Sequence, residues 1–225
     1  MRALLAALTM GILFTLSPGS YTGHVAVFQK EPPMPHGVVL KALDSLPVPA
    51  ALKTNAMNEI SDMSSKGYVV TSEESVIYLE RMKDTAALQP LNNVQHLLKI
   101  KPANLQPTPF AQMKALGAIP SGAYTDEGWT ALQRIFQAPG SNLFGLEEID
   151  YAATGGGLLM IKEAVNQDIN GFPGILRVKK SNSNRSTTEL TWATSKKIYT
   201  LSTNRDLTGD ATTNEFLALA KSIKE

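Results

Sequence analysis

Few residues in this chain have a type and spacing that could do chemistry, and most of them are carboxylates. Glu163 stands out. It falls between Ile161 and Val165 in an apolar alternation, so a strand read through that stretch would bury it. A carboxylate held away from water could serve as a general acid or base, or hold a cationic group. A bulge or an edge position that returns it to water is the plainer expectation. Glu147, Glu148 and Asp150 form an acidic cluster at a strand start, expected as a solvated edge whose charges discourage strand addition.

Other motifs resolve into turns. "NQDING" (166–171) imitates the first half of a calcium loop, but the position that should carry a bidentate Glu is Arg177. "GGG" (155–157) lacks the following Lys-Ser/Thr of a phosphate cradle and opens a strand. His24, His36 and His96 stand in no paired spacing, and no Gly-x-Ser-x-Gly elbow exists. The absence of cysteine removes thiolate nucleophiles and thiolate metal sites. No cofactor and no metal is expected, and no catalytic residue is assigned beyond Glu163 as a candidate.

These residues need elements to position them. The 225 residues are 43% hydrophobic and 18% charged, within the globular range and long enough for one large domain or two small ones. A net charge of +1 offers no drive toward nucleic acid or an anionic membrane surface. The opening "MRALLAALTMGILFTLSPGS" orders a basic residue, an apolar run and small residues as a secretory signal does. No later run is long enough to span a bilayer. Residues 1–20 are therefore read as a signal peptide, and the location as periplasmic or secreted. Residues 21–50, with Pro32, Pro33, Pro35, Pro47 and Pro49, read as a proline-rich arm or linker.

Residues 51–145 are expected to be helical. "SEESVIYLERMKDTAAL" (72–88) repeats Val76, Leu79 and Met82 at helical spacing behind the cap Ser72. "NNVQHLLKI" suggests a shorter helix, and "FAQMKALG" ends on Gly117. "TDEGWTALQRIFQAPG" (125–140) places Trp129, Leu132 and Phe136 on one helical face behind Thr125.

From residue 146 the texture turns to strands. In "TELTWATSKKIYTLS" (188–202) a two-residue loop puts Trp192 opposite Tyr199 and Leu190 opposite Leu201. A loop centred on Asn184 puts Val178 opposite Leu190 and Leu176 opposite Trp192, and Asn170-Gly171 brings Val165 opposite Leu176. A turn through the three glycines sets Ile149, Tyr151 and Ala153 against Leu159 and Ile161. The sum is a five-strand antiparallel meander with one apolar and one wet face. The helix "TTNEFLALAKSIKE" carries Phe216, Leu217, Ala220 and Ile223 as a stripe to cover the apolar face. The expected core is Tyr151, Ile161, Leu176, Val178, Leu190, Trp192, Tyr199, Leu201, Phe216 and Ile223.

The stretch "GFPGILRVKK…TTELTWATSKKIYTLSTN…NEFLALAKSI" resembles the closing sheet-plus-helix module of lipoprotein-carrier-like and anti-sigma-regulator-like periplasmic proteins. The likeness covers about residues 170 to 223 and rests on Leu190, Trp192, Tyr199, Leu201, Phe216, Ala220 and Ser222. It implies a curved sheet whose helical plug holds an acyl chain or meets a protein.

The expected architecture is α+β: a helical N-terminal half, then residues 146–225 as an antiparallel meander with a C-terminal helix on one face. Residues 51–225 are compatible with a single domain. The expected function is that of an exported, non-catalytic binding or interaction protein, its partner an unidentified protein or a hydrophobic ligand. One alternative is a carrier of lipid or another hydrophobic ligand between sheet and helices. The other is a hydrolase-like enzyme with an acidic site near Glu163.

Overall fold

The computed structural model describes residues 13–15 and 37–224. The signal-peptide reading otherwise lies outside the described residues, as does the arm up to residue 36. Strand β1 (Leu13–Thr15) and strand β2 (Gly37–Lys41) precede helix α1 (Ala50–Lys66). The two-residue strand β3 (Val69–Val70) leads to the short helices α2 (Glu73–Val76), α3 (Tyr78–Lys83) and α4 (Leu91–Val94). Strands β4 (Lys114–Thr125), β5 (Gly128–Gln137) and β6 (Leu143–Asp150) form one antiparallel ribbon. After β7 (Gly157–Ile161), a second ribbon runs through β8 (Gln167–Ile169), β9 (Phe172–Lys180), β10 (Ser186–Ala193) and β11 (Lys197–Thr203), and helix α5 (Asp210–Lys221) closes the chain. Among the described residues no helix is long and apolar enough to cross a membrane.

The two ribbons merge because β11 pairs with β6. The sheet order is then β4-β5-β6-β11-β10-β9, with β8 and β3 at opposite ends of the outer edge of β9. A smaller sheet sets β7 between β1, antiparallel, and β2, parallel. The architecture is therefore mostly β, and the helical N-terminal half is overturned.

The reason is clearest in residues 125–137. Thr125 pairs with Gly128 and Tyr124 with Trp129, so what reads as a capped helix start is a hairpin turn at Asp126-Glu127. Gly128 takes φ +116°, and a Cβ there would lie 2.5 Å from the Leu97 carbonyl oxygen. Beyond the turn, β5 is covered on both faces: Leu132, Arg134 and Phe136 are buried on one, Ala131 and Ile135 on the other. A strand buried on both sides loses its alternation, and its apolar positions can then fall by chance on a helical wheel. Of the other expected helices, 72–88 breaks at Ile77 into α2 and α3. "NNVQHLLKI" keeps one turn of α4 and a 3-10 turn, and Gly117 lies inside β4.

In the second ribbon Trp192 faces Tyr199 and Leu190 faces Leu201 across β10 and β11. The Trp192 and Tyr199 rings stack at 5.1 Å and 12°. Between β9 and β10 the pairing sits two residues from the expected register: Leu176 meets Leu190, Val178 meets Thr188. An even displacement leaves every side chain on its expected face. Asn170 and Gly171 take positive φ of 56° and 86°, the tight hairpin turn their types favour.

The expected β6–β7 hairpin does not form, and with it the five-strand meander is overturned. The β6 edge is occupied by β11, while the turn at Ala152–Gly155 sends β7 out of the sheet to β2. Tyr151 and Ile161 are therefore buried in a second core with Leu43, Leu46, Ala56, Met160 and Ile198, across the sheet from Trp192.

The first core lies between α5 and the sheet face carrying Leu146, Leu176, Leu190, Trp192, Tyr199 and Leu201. Phe216, Leu219 and Ala220 face it from the helix, and Ile223 from just beyond its end. The three large side chains contribute about 1.5–3 kcal/mol each on burial. Asn170 donates its side-chain amide to the Lys221 carbonyl at 2.8 Å, tying the helix end to the β8–β9 turn. The opposite face is not wet. Helix α1, the small sheet and the α2–α3 segment lie over it, and it retains a polar strip.

Candidate functional site

That strip begins with α1. Pro49 precedes the helix and Gly67, at φ +76°, ends it by donating its N–H to the Met63 carbonyl. Anchored through Ala56, the helix presents Glu59, Ile60, Met63 and Ser64 along one side. Below them β9 contributes Ile175 and Arg177, two positions apart and so on one face. The 3-10 turn Lys162–Ala164 and Asn166 close the third side. Together they line an open-mouthed cavity of about 360 Å³.

Glu163, the sequence candidate, is on this lining, but it is exposed. β7 ends at Ile161, and the 3-10 turn that follows carries Glu163 out of the apolar alternation. Its carboxylate accepts the Leu43 N–H, at 3.1 Å to Oε2 and 3.3 Å to Oε1. It makes no hydrogen bond or ion pair with a titratable side chain among the described residues.

Arg177 is the residue sequence reasoning missed. Its side chain lines the cavity at only 6% exposure. Among the described residues it has no hydrogen-bond partner and no carboxylate oxygen within 4.0 Å. Glu189 sits directly opposite on β10, but its carboxylate is held by Lys179. Burial pulls the Arg177 pKa down, Glu59 and Glu189 pull it back, and the guanidinium stays charged. Burial raises the pKa of Glu59, against the opposing pull of Arg177 and Lys179. The sequence does hold a signal: Arg177 breaks the apolar run "GILRV". Assigning its face to solvent hides what that break means.

Further along the strip, Tyr78 donates its hydroxyl to Gln133 Oε1 at 2.9 Å, and Thr191 bonds Thr200 at 3.3 Å. Burial raises the Glu147 pKa, and Glu189 raises it further. A raised carboxylate pKa favours the protonated form in the fold. Its share of stability is thus greatest at acid pH and is lost as pH rises through the shifted value. Glu147→Gln should accordingly raise the urea midpoint near pH 7 and leave it nearly unchanged near pH 4. Equal shifts at both pH values would count against this cause.

The acidic cluster of the sequence does not exist as a unit. Strand alternation sends Glu147 and Glu148 to opposite faces, and Asp150 accepts the Ala153 N–H at 2.8 Å. Glu148 is wholly buried, paired with Arg134, 3.7 Å from Lys197 Nζ, and accepting the Ala103 N–H at 2.8 Å. In "NQDING", Asn166 brackets the Leu176 backbone and Asp168 accepts the Gly171 N–H, so these side chains serve the turn. His96 is exposed on its 3-10 turn, and His24 and His36 lie outside the described residues. Among the described residues no three His, Asp or Glu side chains converge on one point.

Compared with family models, curated proteins and solved structures, the chain matches none.

A second hollow, about 290 Å³, lies at the end of the α5 face between Ile169, Phe172, Trp192, Tyr199 and Ile223. Its lining is mainly apolar and aromatic, with Asn170, Thr194 and Lys224 completing it.

Proposed function

We propose that this chain is a non-catalytic binding protein that acts after export, with its ligand seated in the cavity between α1 and the sheet. The observation that carries this reading is Arg177, buried on the wall of a 360 Å³ space and without a hydrogen-bond or ion-pair partner among the described residues. Folding alone would not select an ionised side chain there, since burying a charge without a partner costs free energy that an apolar residue would save. The engagement of Glu163 with the Leu43 backbone supports binding over hydrolysis, because that carboxylate already holds a proton donor. Export rests on the opening segment, which orders a basic residue, an apolar run and small residues.

Native mass spectrometry of the protein from its own source tests the reading. The wild type should retain a small molecule. Ser64→Trp, which fills the cavity from an exposed helix position, should lose it. Identical spectra with no bound mass would sink the proposal. A second reading, carriage of a hydrophobic ligand, is favoured by the aromatic hollow beneath the end of α5. In that case the retained mass would be a lipid, and Ser64→Trp would leave it in place.

A further inference from the structure

We propose that the cavity between α1 and the sheet takes the carboxylate of a small amphiphilic organic acid, with Arg177 as its counter-ion. This rests on the cavity being the binding site and specifies what it accepts. Three features of the lining define the ligand. The guanidinium of Arg177 presents several donors in one plane, a geometry suited to both oxygens of a carboxylate. Among the described residues none takes that place: Glu189 is held by Lys179, and Glu59 stands beyond ion-pair distance.

Charge sets the second limit. Glu59 and Glu163 lie on the same lining, so a dianion such as a phosphate monoester would meet two carboxylates for one arginine. A single negative charge fits better. Shape sets the third. Ile60, Met63 and Ile175 form an apolar wall beside the charged end, and 360 Å³ leaves room for a chain of several carbons beyond the carboxylate. The match is an acid with one charged end and an apolar body.

Isothermal titration of the full chain with octanoate, 1-octanol and octylammonium separates the contributions. Octanoate should bind wild type at least tenfold more tightly than 1-octanol, and octylammonium least well. Arg177→Met, close in volume and without the charge, should erase the preference for octanoate. Arg177→Lys, which keeps the charge but not the planar fork, should retain part of it. Free Arg177→Met should also melt no lower than wild type, because among the described residues the side chain removed makes no hydrogen bond or ion pair. Should Arg177→Met fail to fold, Arg177→Lys and the loss of octanoate binding in Ser64→Trp carry the comparison.

Equal binding of octanoate and 1-octanol would overturn the carboxylate assignment while leaving the cavity as an apolar site. Preference for octylammonium would overturn it in favour of Glu59 and Glu163. If none of the three probes binds wild type, the carboxylate assignment fails and the cavity reading is left to the native mass measurement alone.

Discussion

Glu148→Ala is expected to lower stability by about 3–5 kcal/mol, the cost typical of leaving buried charge without its counter-charge. Glu148 has 0% exposure and serves three partners at once: Arg134, Lys197 and the Ala103 N–H. Arg134 also donates to the Ala103 carbonyl at 3.1 Å, and Lys197 donates to the Lys101 carbonyl. The network therefore anchors residues 101–103 against the sheet. Urea unfolding at neutral pH measures the loss, and amide exchange should speed up in the same segment. The double variant Arg134→Met with Glu148→Leu should recover much of the deficit, because it removes charge and counter-charge together. A loss below about 1 kcal/mol in Glu148→Ala would contradict the assignment of a closed, water-free network.

Trp192→Ala should cost a similar amount, about 3–5 kcal/mol, for a different reason. Trp192 is buried in the core beneath α5 and stacked on Tyr199. Its deletion would join the vacated volume to the hollow already lined by Phe172 and Ile223. Trp192→Phe keeps a ring in contact with Tyr199 and should cost clearly less. Chemical denaturation of the two variants side by side is decisive. Equal losses would mean that ring stacking and filled volume are not what Trp192 supplies.

Much of the second ribbon was legible because its alternation is strict and its turns have distinctive residues. The pairing of Trp192 with Tyr199 follows from "TSKK", and the turn at Asn170-Gly171 from its dipeptide. The failures share one physical origin. β5 and the far face of β9 and β10 are covered on both sides, so hydrophobic periodicity could not separate strand from helix or inside from outside. That error turned Thr125 to Phe136 into a helix and assigned to solvent the sheet face that carries Arg177. β7 fails for another reason. The glycine turn after Tyr151 is equally compatible with a hairpin and with an exit from the sheet, and only the arrival of β11 on β6 decides between them. Of the cavity, Glu163 was noticed for its position in the pattern. Glu59 and Arg177, 118 residues apart, meet only through the folding of α1 onto β9.

The junction of β6 with β11 has a consequence for biogenesis. It is the seam between two ribbons that are each complete in themselves, and it cannot close until residue 203 has been synthesised. A nascent chain stalled before Lys197 would offer two raw strand borders, at β6 and β10, each ready to recruit a neighbouring polypeptide. Late closure leaves the two ribbons unjoined until the last eighth of the chain has emerged.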